Sequence, residues 1–259
     1  MSPRRVLVTG ASSGIGRALA EEAARLGCAT VLVGRDGPRL EDVAARLPGS
    51  GHEVLVADLS LPEGIGTVAA AIRRPADIID VVVNAAGMGT SSPFPLDSAE
   101  AERIMLDVNV RAVLELSQVS AEVMRVRGAG AIVNVSSTAA FWSAGTYAAS
   151  KAWVLVATQG LANQCRPHGV RVMALVPGFT RTEFHRRSGT DASGVRPWLW
   201  LDPAEVAREA FACLAAGKDV CIPGRQYRLL VGMVRHLPPR GRAAVLRRLA
   251  PLAPAQAGT

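Results

Sequence analysis

The sequence predicts an α/β fold: a doubly wound, parallel, seven-stranded sheet with helices on both faces, followed by a basic helical C-terminal extension. Three observations predict it. Short β-branched runs alternate with stretches rich in Ala, Leu, Arg and Glu at helical spacing. The runs are apolar throughout, as in parallel strands buried on both faces. A glycine-rich turn joins the first run to the first helical stretch.

In chain order, strands are predicted at 6–8, 30–33, 53–56, 81–83, 131–135 and 170–176, with a weaker seventh at 220–222. Helices are predicted at 15–27, 38–47, 62–73, 98–127, 147–166 and 203–216. Right-handed crossovers distribute them over both faces. No repeat or linker divides residues 1–222, which read as one domain. Within it, 180–201 mixes charge, Gly, Ser and the large apolar Phe184, Trp198 and Trp200. It reads as a long loop with one or two short helices, and a loop of that length usually serves function. Residues 223–259 read as an extension. Tyr227, Leu230, Val231, Val234 and Leu237 recur at helical spacing, Pro238-Pro239 interrupt, and Val245, Leu246 and Leu249 resume the pattern. The last nine residues read as disordered.

The 259 residues, 49% of them hydrophobic, can bury a sizeable core. Charged residues at 20% exclude a disordered, self-repelling chain. Seven arginines and no acid follow Asp219, so the extension carries the whole net charge of +7 and the body is neutral. That argues against a nucleic-acid groove across the body. The extension, over 226–250, fits either a weak contact with an anionic membrane surface or a lid folded back over the loop. Four cysteines at no metal-ligand spacing imply a reducing, cytoplasmic setting and no metal site. No run of about 18 residues is apolar enough to span a membrane, and the N-terminus lacks a signal-peptide stretch.

The turn reads Thr9-Gly10-Ala11-Ser12-Ser13-Gly14-Ile15-Gly16. Gly10 permits a tight turn, Gly14 removes a side chain where a pyrophosphate approaches, and Gly16 lets the helix pack on the sheet. Tyr147 and Lys151, spaced i, i+4, share one helix face. A cation beside a tyrosine favours phenolate and lowers its pKa toward neutrality. Only two lysines and two tyrosines occur in the chain.

These motifs, with Asn84-Ala85-Ala86-Gly87, Asn109, Ser136-Ser137 and Pro177-Gly178 followed by Thr180 and Thr182, resemble the short-chain dehydrogenase/reductase family of the classical type. The resemblance covers about residues 4–222 and implies a single-domain Rossmann fold and an oxidoreductase. It implies that Tyr147 donates the proton, Ser137 polarises the substrate carbonyl, and Lys151 and Asn109 relay protons. Ser12, Ser13 and Ile15 accompany the three glycines at the phosphates. Asp58 and Leu59 meet adenine, and Asn84, Ala85, Ala86 and Gly87 lie beside the adenosine ribose. Pro177, Gly178 and Thr180 cover the nicotinamide end, and Thr182 reaches a phosphate. Arg35, after the second strand, fits NADP(H) better than NAD(H), although Asp36 stands beside it. Ser137 and Tyr147 lie ten positions apart where the family usually has about thirteen, so the intervening loop is short and Ser136 is an alternative to Ser137.

Met88, Gly89, Thr138, Phe141, Trp142, Phe179, Phe184, Trp198 and Trp200 fall at the carboxyl ends of strands or on the long loop. They predict an apolar pocket for a lipid-, steroid-, polyketide-like or aromatic ketone or aldehyde. A catalytically silent dinucleotide-sensing protein is the competing reading. The resemblance further implies a homodimer or homotetramer through helices 98–127 and 147–166, where Ala152, Trp153, Val156, Ala157 and Leu161 form an apolar stripe.

Overall fold

The computed structural model describes residues 5–90, 94–142, 145–249 and 253–254. Strands are β1 (Arg5–Thr9), β2 (Ala29–Gly34), β3 (Glu53–Val56), β4 (Val81–Asn84), β5 (Gly130–Val135), β6 (Val170–Leu175), β7 (Thr190–Asp191), β8 (Val220–Cys221) and β9 (Ala253–Pro254). Helices are α1 (Gly14–Arg25), α2 (Gly37–Arg46), α3 (Pro62–Ile72), α4 (Ala99–Leu106), α5 (Ala112–Arg127), α6 (Gly145–Cys165), α7 (Phe184–Arg187), α8 (Pro203–Ala215), α9 (Arg225–Val234) and α10 (Pro239–Leu249).

Seven strands form one parallel sheet in the order β3-β2-β1-β4-β5-β6-β8. Val8 faces Leu32 on one side and Val83 on the other. The order reverses between β1 and β4, which opens a crevice at their carboxyl ends. Because side chains alternate, Val6 and Val8 join a core with residues of α1, α8 and α9, while Leu7 joins a second core with α3 and α5. The helix starts are written into the chain. Asp202 accepts bonds from the amides of Ala204 (2.8 Å) and Glu205 (3.2 Å), with Pro203 at the first helical position of α8.

The single helix predicted over 98–127 is interrupted. A π-helical turn, Asp107–Arg111, separates α4 from α5. The wider turn draws Asn109 inward until it is fully buried. The long loop is organised by α7, β7 and a 3₁₀ turn at Pro197–Leu199. A bridge between Thr180 and Leu201 closes its base.

The extension packs back onto the body. Tyr227, Leu230, Val231 and Val234 of α9 are buried, and α9 lies on the turn at 138–141. That apolar stripe is therefore spent on the protein rather than offered to a bilayer. The expected disorder of 251–259 fails at Ala253–Pro254, whose backbone pairs antiparallel with Thr190–Asp191. The rest of that stretch lies outside the described residues. Among the described residues no helix is long and apolar enough to cross a membrane, and no cluster of His, Cys, Asp or Glu could hold a metal ion.

Candidate active site

The glycine turn fills the crevice. A Cβ on Gly10 would come within 2.8 Å of the Ala86 Cα, and one on Gly16 within 2.3 Å of the Gly10 carbonyl oxygen. Gly14 has φ +57°, and a Cβ there would press on Thr182 at 3.3 Å. Ser13 caps α1 without a side-chain bond, so the first amides of the helix are left for another acceptor. Ser12 and Ser13 are partly exposed, whereas Ile15 leans on the core. This cradle fits the pyrophosphate of a dinucleotide.

At the adenosine end, Arg35 is 68% exposed and 3.8 Å from Asp58. Asp36 is engaged elsewhere: it accepts the Arg39 amide at 3.1 Å and caps α2. Burial opposes the charge of Asp58, but the Ser60 amide and hydroxyl, with Arg35, outweigh it and hold its pKa below the ordinary value. Two residues expected at the cofactor have their side chains engaged by the protein. Leu59 is buried in the core rather than open to an adenine. The Asn84 side chain turns beneath the sheet, where it donates to Asn134 (2.8 Å) and Ser117 (3.3 Å). The amides of Ala85 and Ala86 both donate to the Thr9 hydroxyl at 3.0 Å, which fixes the β4 exit against the turn.

The structure brings Asn109, Ser137, Tyr147 and Lys151 together. The Ser137 hydroxyl interacts with the Tyr147 phenol closely enough to lower its pKa, and it accepts the Ala139 amide at 3.1 Å. Ser136 points the other way and donates to the Lys151 carbonyl at 2.7 Å, buried. Adjacent strand residues alternate faces, so only one of the pair reaches the tyrosine. Lys151 is buried, its ammonium 5.9 Å from the Tyr147 ring centroid and 3.1 Å from the Val135 carbonyl it donates to. Asn109 accepts the Met88 amide (2.9 Å) and donates to the Met88 carbonyl (2.9 Å) and to Ser150 (3.2 Å). The lysine and the asparagine meet across Gly87: a Cβ there would lie 3.1 Å from Lys151 Nζ and 3.3 Å from Asn109 Oδ1.

The electrostatics differ from the expected depressed tyrosine pKa. Protein packed around the Tyr147 hydroxyl strips it of water and pushes its pKa up to about 12, against the lowering by the Ser137 bond. Burial takes Lys151 down to about 8. Desolvation disfavours both charged forms.

On the substrate side, Phe184 packs on Tyr147, ring centroids 5.6 Å apart. Phe179, His185 and Trp200 form an aromatic cluster with centroids 5.3–5.8 Å apart. Beside it opens a cleft of about 530 Å³ lined by Arg181, His185, Arg186, Asp191, Ala192, Ser193, Val195, Pro197 and Trp200. His185 was not anticipated; its place next to Phe184 on the loop was the available signal. Burial lowers its pKa, which favours neutral imidazole. Four expected pocket residues have their side chains placed differently. Thr138 is buried, and its amide donates to the Pro177 carbonyl at 2.9 Å. Phe141 and Trp142 pack against the core. Trp198 is 51% exposed, because the 3₁₀ turn points Leu199 inward and Trp198 out. Thr180 is buried with its hydroxyl on the Gly178 carbonyl at 3.0 Å, while Thr182 stands against Gly14.

Comparison with known proteins agrees with this arrangement. The short chain dehydrogenase family model matches residues 4–193. An uncharacterized oxidoreductase of Staphylococcus saprophyticus is 35% identical over 214 residues, spanning 80% of this chain and 89% of the relative. A short-chain dehydrogenase from Sphingobium yanoikuyae, solved in complex with NADPH, superposes with a TM-score of 0.82 at 35% identity over 89% of this chain and 93% of that one. A bulky-bulky ketone specific alcohol dehydrogenase from Comamonas testosteroni gives 0.77 at 28% identity over 100% and 98%. A phosphate cradle, a Tyr–Lys pair on one helix face and these likenesses converge: the chain belongs to the short-chain dehydrogenase family of NAD(P)-dependent oxidoreductases.

Proposed function

We propose that this oxidoreductase is an NADPH-dependent carbonyl reductase acting on an apolar ketone or aldehyde. The observation that carries the reading is the convergence of Ser137, Tyr147, Lys151 and Asn109 around Gly87, at the mouth of a phosphate cradle. The cofactor supplies hydride when bound. Tyr147, neutral at physiological pH, gives its proton to the carbonyl oxygen. Ser137 donates a second hydrogen bond to that oxygen as negative charge develops. Lys151 and Asn109 return the proton through the Gly87–Met88 backbone side. The aromatic cluster beside Tyr147 favours an apolar substrate.

Preference for NADPH rests on Arg35, which is exposed enough to face a 2′-phosphate beside its pairing with Asp58, while Asp36 is held as a helix cap. The NADPH complex of the Sphingobium relative supports the same choice. Buried thiols at Cys165 and Cys221 suit the reducing cytoplasm. A homo-oligomer is proposed through α5 and α6, where Val113, Leu114, Ala121, Trp153 and Leu161 line a groove of about 430 Å³.

The test follows NADPH and NADH oxidation across ketones graded by size. Tyr147→Phe should keep cofactor binding and lower kcat by about 10²–10⁴-fold. Wild-type turnover in that variant would remove Tyr147 from its role. Tight cofactor binding with no ketone reduced by the wild type would favour the silent binding protein.

A further inference from the structure

Tyr227 lies outside the stretch matched by the family model and takes no part in the chemistry above. It is 2% exposed, among the largest buried side chains in the molecule. Its hydroxyl donates to the Leu199 carbonyl at 2.6 Å and accepts the Phe179 amide at 2.9 Å. Its ring occupies the space that a side chain at position 178 would need: a Cβ on Gly178 would fall 1.9 Å from Tyr227 Cζ. Phe179 and Leu199 are the two ends of the substrate loop. Backbone bonds join them at the base, from Leu201 to the Phe179 carbonyl at 2.8 Å and from Arg181 to the Leu201 carbonyl at 3.0 Å. Tyr227 adds a side-chain bridge from a different element, α9, which is itself anchored in the core by Leu230 and Val234.

We propose that Tyr227 is a positioning residue that sets the shape of the substrate pocket: one hydroxyl ties both ends of the loop and thereby fixes the Phe179 ring against His185 and Trp200. The carbonyl oxygen at Leu199 and the amide at Phe179 are the two partners, so losing the hydroxyl removes a tie at both ends at once and leaves only the backbone bonds at the base. The ring stays on Gly178, next to the nicotinamide end, which leaves cofactor binding intact. Burial holds the Tyr227 phenol well above its ordinary pKa, so the bridge persists across the physiological range.

This inference rests on the carbonyl-reductase reading for its kinetic test. Tyr227→Phe keeps the ring and removes the bridge. For a bulky cyclic ketone, KM should rise about tenfold, the size expected when a buried donor and acceptor lose their partner. The constants for a small ketone and the affinity for NADPH should hold. Leu230→Ala is the control: it weakens α9 packing but keeps both bonds of the Tyr227 hydroxyl, so it should lower Tm and leave the bulky-to-small ratio unchanged. Equal losses on both ketones in Tyr227→Phe, or the same ratio change in Leu230→Ala, would overturn the proposal. Hydrogen exchange is the second readout and needs no turnover. The Phe179 amide and the 181–199 backbone should exchange faster in Tyr227→Phe than in Leu230→Ala, and equal protection would overturn the proposal. If the wild type reduces no ketone, the carbonyl-reductase reading falls and the exchange experiment decides the role of Tyr227 alone.

Discussion

Ser136 and Ser137 are neighbours with opposite assignments. Ser136 is buried against the Lys151 carbonyl, and Ser137 faces the Tyr147 phenol. Ser137→Ala should lower kcat for ketone reduction with little change in Tm. Ser136→Ala should instead cost stability, because it removes a buried hydroxyl-to-carbonyl hydrogen bond between the β5 exit and α6, a loss of about 0.5–1.5 kcal/mol. Parallel kinetics and melts read both, and the reverse pattern would exchange the roles. Lys151 has a pH signature of its own. Its pKa is about 8 in the folded chain against an ordinary 10.5. Between those values the unfolded chain holds more protons, so stability rises with pH across roughly 8–10, by up to about 3 kcal/mol from this group. Above pH 10 the raised Tyr147 opposes it, since there the folded state keeps the proton longer. Urea melts at pH 7.5 and 9.5 should show the rise in wild type and its absence in Lys151→Met.

At the scale of elements, α9 joins two regions that lie far apart in sequence. Removing everything after Pro223 takes away Tyr227, Leu230, Val231 and Val234 from the core. The truncated chain should lose turnover or solubility more than cofactor affinity, because the phosphate cradle is built by β1 and α1. Isothermal titration with NADPH beside turnover assays checks this, and undiminished turnover would show that α9 is dispensable. The elements also show what was legible. Strands such as Val81–Asn84 announce themselves by unbroken β-branching, and the glycine turn by its place between strand and helix. The π-helical turn at Asp107–Arg111 was not legible, because widening one turn leaves the apolar period of the surrounding helix almost intact. The side-chain directions of Asn84 and Leu59 were not legible, because a position at a strand end says which layer a residue occupies, not which face its side chain takes. Trp198 and Trp200, two residues apart in a loop with a 3₁₀ turn, part company for the same reason.

Across the whole molecule, the fold class follows from alternation alone, while the pocket depends on contacts between the loop and the extension that no local pattern encodes. Tyr227 is the clearest case: its helical spacing identified a buried stripe, but not that its hydroxyl would find Leu199 and Phe179. Assembly is the other property at this scale. Leu114 and Val156 are large apolar side chains that stand 49% and 67% exposed on α5 and α6. Leu114→Glu with Val156→Glu should yield monomers by light scattering while the fold survives; an unchanged mass would move the interface elsewhere. The charge distribution has a consequence for handling the protein. All of the net charge of +7 belongs to a segment folded against the substrate loop, and the rest of the chain is neutral. In electrical terms, the excess positive charge lies on the segment that reaches the substrate loop through Tyr227. On a negatively charged resin it should settle mouth-down, so that immobilised enzyme loses access to bulky substrates first and regains it as salt loosens the attachment.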